Sequence, residues 1–245
     1  MGPGEVTGGA KGQGAASNGV ALNAGQSATV KCSVHEHEGV GNKLVLHGEV
    51  GEGTEKVAAT ITATGIECIN HEGVSQGNGS ARIEQTGTGT VADPYKAEDF
   101  GRFVFTGVTV SNPPHCIIPG GTVTTNPLKS QLIHDSSNHN IVFDRFEPTG
   151  TNFATVKIES EAPFTCAIAG SRIAKGFFCA KAENETGVDA VNQPLTSSLA
   201  TEETIGNSED SCGLIFAGNP AHLTGTVNNE LTGVNAGKEW GAKEK

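Results

Sequence analysis

The run His35, Glu36, His37, Glu38 carries the most suggestive chemistry in the sequence. On a strand, alternate side chains share a face, so His35 and His37 point the same way, a spacing that suits two imidazoles on one metal ion. A site of that kind wants a carboxylate a few residues on, but residues 39–42 read GVGN. A polar hairpin tip just past Cys32 is the competing reading. Gly73, Val74, Ser75, Gln76 and Gly77 match the G-x-S-x-G nucleophile elbow, which works by feeding a strand through a sharp turn into a helix. Residues 77–80 (GNGS) do not start a helix. His134 and Asp135 could supply half of an acid–base pair, yet residues 135–140 (DSSNHN) have the composition of a hairpin loop. Asp93, Glu98 and Asp99 surround Tyr95 without the ordered spacing of a calcium loop. The expectation is a chain without catalytic residues, cofactor or metal, His35 and His37 being the weak metal candidates.

Cysteines supply the other reactive groups, at Cys32, Cys68, Cys116, Cys166, Cys179 and Cys212. None forms a C-x-x-C pair, so zinc-ribbon and thioredoxin-like chemistry lack support. Even-numbered, widely spaced cysteines in a β-rich chain read as structural disulfides made in an oxidising compartment. Buried free thiols are the alternative. Six cysteines allow 15 pairings; Cys32 and Cys68, at the ends of neighbouring early strands, are expected to form one.

The elements that must position these residues are strands. The chain has 245 residues, of which 34 are Gly and only 18% are charged. That composition excludes a highly charged disordered chain and disfavours a helical bundle. Alternating or β-branched stretches fall at residues 28–34, 43–47, 57–68, 103–110, 122–124, 131–134, 140–146 and 153–158. Others follow at 167–173, 177–182, 214–216 and 223–227, all separated by Gly, Asn and Pro. Residues 197–206 (SSLATEETIG) are the best helix candidate, at most a short surface turn. Recurrences such as Thr64, Gly65 and Thr106, Gly107 read as a shared strand-to-turn habit. The expected fold is all-β: an antiparallel, disulfide-stapled β-sandwich, jelly-roll-like or related. It spans residues 21–245, with a possible internal boundary near 111–120. Residues 1–20, rich in Gly and poor in large apolar side chains, form an arm that cannot offset its own ordering entropy alone.

The net charge is −11, and the only basic grouping is Lys238, Lys243 and Lys245. A nucleic-acid partner needs a basic face, so none is expected. With no apolar run near the roughly 20 residues of a membrane helix, membrane insertion is not expected either. One Trp, one Tyr and 10 Phe place the aromatic mass in a core rather than on a sugar-binding platform. Residues 1–4 (MGPG) carry neither the basic nor the apolar region of an export signal, which leaves the route of export open.

Several stretches resemble a pattern found in uncharacterised secreted Gly/Thr-rich β proteins of soil actinobacteria. They are residues 105–110 (FTGVTV) followed by Cys116, then 121–128 (GTVTTNPL), 145–150 (RFEPTG), 153–156 (FATV) and 166–170 (CAIAG). Residues 218–225 (GNPAHLTG) and 231–237 (LTGVNAG) complete it, so the likeness covers roughly residues 60–240. These are turns and strand edges. The resemblance implies β architecture and export, and no catalytic residue. Cys116 and Cys166 fall within the shared stretches and Cys179 and Cys212 outside them, which implies the pairs Cys116–Cys166 and Cys179–Cys212. The functional expectation is a non-enzymatic structural or assembly protein of a cell surface, extracellular filament or virion. It would form a homo-oligomer or polymer through β edges and the N-terminal arm. The alternatives are an adhesin-like module binding glycan or protein, and more weakly a metal-dependent enzyme at His35 and His37.

Overall fold

Period-2 burial builds the strands. On β4 (Val57–Ala63), Ala59, Ile61 and Ala63 are buried while the residues between them are not; on β13 (Ala154–Ser160), Ala154, Val156 and Ile158 turn inward and Thr155 and Lys157 outward. A computed structural model describes residues 4–7, 27–34, 43–69, 81–86, 96–134, 142–182, 195–200, 212–236 and 241–244. Every strand pairing in it is antiparallel, and the disulfide-stapled all-β fold is as expected. The sheets curl so far that their end strands meet.

Two rings result. The first runs β7 (Lys96–Thr106), β11 (Leu128–His134), β12 (Val142–Pro148), β15 (Phe178–Ala182), β16 (Leu195–Ala200), β18 (Asn219–Leu231), β2 (Ser27–Val34) and β6 (Ala81–Thr86), and β6 pairs back to β7. The second starts from the other half of β18, which pairs with β3 (Leu44–Val50). From there it passes to β4 and on through β5 (Gly65–Ile69) to the second half of β7, which pairs with β10 (Thr122–Thr124). A bridge from Thr125 to Ala154 reaches β13, and β14 (Gly170–Gly176) and β17 (Leu214–Phe216) return to β18. Closure of this kind removes exposed strand edges.

The two long strands shared by both rings need special residues where they change partners. On β7, residues 98–101 pair with β11 and residues 104–106 with β10. Between them the Phe103 N–H donates to Thr125 Oγ1 at 3.0 Å, and the Thr125 N–H donates to the Phe103 carbonyl at 2.9 Å. Thr125 is 2% exposed, so its hydroxyl completes a ladder that water cannot reach. Thr125→Val keeps the shape and leaves the Phe103 N–H without its acceptor, at an expected cost of about 1–3 kcal/mol. A lower urea midpoint at unchanged slope checks this. On β18 the change falls at Gly225, whose φ of 142° and contact with Leu44 leave no room for a Cβ.

A Phe cluster fills the junction. Phe178 has ring centroids 5.0 Å from Phe146, 5.4 Å from Phe153 and 5.9 Å from Phe103. Phe146 and Phe178 belong to the first ring, and Phe153 precedes β13 of the second. The disulfides follow the same plan. Cys32 on β2 bonds Cys68 on β5 and Cys179 on β15 bonds Cys212 just before β17, each tying one ring to the other. Cys116, on β9 (Cys116–Ile117), bonds Cys166. Asn219 adds a polar clamp: its amide donates to the Glu49 and Gly51 carbonyls, each at 3.1 Å.

One sequence reading is revised. Within the helix candidate at 197–206, residues 197–200 belong to strand β16, where pairing with β15 and β18 on both sides overrides local propensity; residues 201–206 lie outside the described residues. The Thr-Gly recurrence has a structural counterpart at two strand-to-turn junctions. Thr64 and Gly65 stand opposite Thr106 and Gly107, and a Cβ on either Gly would collide with the facing Thr hydroxyl. Residues 111–120 lie within the paired system, β8 (Thr109–Asn112) against β4 and β9 against β13. Of the arm, Gly4–Thr7 forms β1, paired with β19 (Gly241–Glu244) of the same chain in a separate two-stranded sheet; the rest of residues 1–20 lies outside the described residues.

Candidate functional site

Most residues singled out for their chemistry fall where the structure gives no description. His35, His37, Gly73 to Gly77, Asp93, Tyr95 and Asp135 lie outside the described residues. Glu98 and Asp99 take strand positions on β7, opposite Gln131 and Ser130, and His134 ends β11 opposite Val142. Among the described residues no group of His, Cys, Asp and Glu is placed to hold a metal ion, and no helix is long and apolar enough to cross a membrane.

Two surface clusters and one cavity stand out instead. The first cluster joins the loops held by Cys116–Cys166, whose Cα atoms are 4.9 Å apart. His115 takes a left-handed φ of 62°, a conformation that costs a non-Gly residue energy and that functional loops often retain. Its carbonyl accepts the Glu161 N–H at 2.9 Å, and its ring stacks on Phe164 with centroids 4.0 Å apart. His115 Nδ1 lies 3.9 Å from Glu161 Oε2, too far for a hydrogen bond and an ion pair only with the imidazole protonated. Phe164 is 52% exposed and neighbouring Ile117 42%. The result is an exposed aromatic knob, Phe164 stacked on His115.

The second cluster lies on the outer face of β12. The Arg145 guanidinium sits 4.1 Å over the Phe177 ring and 3.2 Å from Glu147, which Lys129 also meets at 2.9 Å. Arg145 Nε is buried without an acceptor among the described residues. This is a half-exposed charge network bracing β11 and β12.

The cavity lies inside the second ring and measures about 70 Å³. Its walls are entirely apolar, with Ile61, Phe105, Phe153 and Leu223 among them. Neither the knob nor the cavity is picked out by reactive residue types. The available signals were quieter: Pro and Cys flanking His115 and Phe164, and alanines at inward strand positions where larger side chains would pack.

The arrangement offers surfaces and an apolar interior, held by disulfides that form in an oxidising compartment. Compared with known proteins, the chain matches no family model, no curated protein and no solved structure.

Proposed function

We propose that this protein is a non-enzymatic structural component of a cell surface, extracellular filament or virion, working by self-association. The observation that carries this reading is the contrast between closed rings and the terminal sheet. Among the described residues β1 pairs only with β19 and β19 only with β1, which sets the terminal sheet apart from the rings as the place where a further strand would add. Strand addition draws affinity from main-chain hydrogen bonds and tolerates Gly-rich sequence. A body tied by three disulfides suits a component exposed outside the cell, and the resemblance to secreted actinobacterial proteins points the same way. Removal of residues 2–20 is expected to reduce the assembly to monomers, read by light scattering coupled to size exclusion. A truncated protein with the full-length oligomeric state would refute the arm's role. The exposed Phe164 knob supports a second reading, a module that recognises a protein or glycan; Phe164→Ala would then abolish binding and leave the oligomeric state unchanged.

A further inference from the structure

The interior of a small closed barrel can be just filled by side chains or can hold one small ligand. In the second ring the side chains stop short, leaving the cavity of about 70 Å³. Three inward positions on its wall are alanines: Ala63 on β4, Ala154 on β13 and Ala174 on β14, the last two direct cross-strand partners. A water molecule needs two to four polar partners, and this lining supplies none. The occupant that suits it is therefore apolar and uncharged.

Access follows from a difference along single strands. Leu44 on β3 and Phe103 on β7 are 1% and 6% exposed. Leu46 and Phe105, two residues further along and facing the cavity, are only half-buried. The cavity reaches the surface beside them. Size narrows the class further: an apolar cavity of about 150 Å³ takes benzene, and this one has about half that volume. The geometry points to a binding site for the end of an uncharged alkyl chain, inserted past Leu46 and Phe105 with its polar end left outside. This inference is independent of the self-association reading.

The test uses the full chain with labelled alanine methyl groups, observed by NMR and titrated with octyl glucoside below its micelle concentration. Saturable shifts are expected at Ala63, Ala154 and Ala174, and none at exposed Ala58 and Ala167. Ala174→Leu, which places new carbons in the cavity, is expected to weaken binding at least tenfold. Ala63→Val serves as a smaller step should Ala174→Leu fail to fold. Absence of shifts overturns the proposal, as does equal binding by the filled variants. Entry of xenon without entry of the octyl chain would show a sealed packing void and overturn it too. Benzene binding as tightly as the alkyl chain would overturn the size assignment.

Discussion

Phe178→Ala is expected to lower stability by about 3–5 kcal/mol. In a chain of this size that shifts the melting temperature down by roughly 6–20 °C. Phe178 is 0% exposed and its ring meets Phe103, Phe146 and Phe153 where the two rings join. Truncation removes the buried area of a large side chain and leaves a cavity that four separate strands and loops would have to move together to close. Phe164→Ala provides the contrast, because that ring is 52% exposed and its loss should stay within about 0.5 kcal/mol. Calorimetry on both variants decides the matter. Equal losses would mean that the Phe cluster is not the joint holding the rings together.

Replacing Cys179 and Cys212 together by Ser is expected to cost about 4 kcal/mol, the chain-entropy value for a bridge of sequence separation 33. The double replacement avoids leaving one free thiol. Cys179 is on β15 of the first ring and Cys212 enters β17 of the second, so the bridge also limits how far the rings separate before global unfolding. Guanidinium titration of the variant should show a lower midpoint. Alkylation of the unreduced, denatured wild type should label no thiol, in keeping with all six cysteines being bridged. A loss below about 1 kcal/mol would show that β18 and β7 hold the rings together without the staple.

The fold was legible to different depths in different places. Residues 57–68, 103–110 and 153–158 announce themselves through β-branched residues and alternation; the structure makes strands of them but breaks the first run at Thr64 and the second at Gly107 and Val108. Alternation reports which side of a strand is buried but says nothing of its neighbours. That is why one continuous stretch, β18, gave no sign that residues 219–224 and 225–231 pair with different partners. Gly225 and Thr125, which make the partner changes possible, are an ordinary Gly and Thr in a sequence rich in both. The candidate sites were less legible still. Reactive residue types drew attention to His35, Ser75 and His134, whereas the knob and the cavity depend on exposure and on missing volume.

The sequence alone determined the acidic balance and pointed to the all-β class, the antiparallel pattern and disulfide chemistry. Each of these rests on local propensity, net charge or residue type, which are properties of the chain before it folds. Only the tertiary structure decided that the sheets close into two rings sharing β7 and β18, that two disulfides join those rings, and that Ala63, Ala154 and Ala174 face one space. Those outcomes depend on pairings between residues far apart in sequence, such as Thr125 with Ala154 and Leu223 with Leu46. Such pairings are selected by how buried faces fit against one another in three dimensions, and no stretch of the chain carries that information by itself.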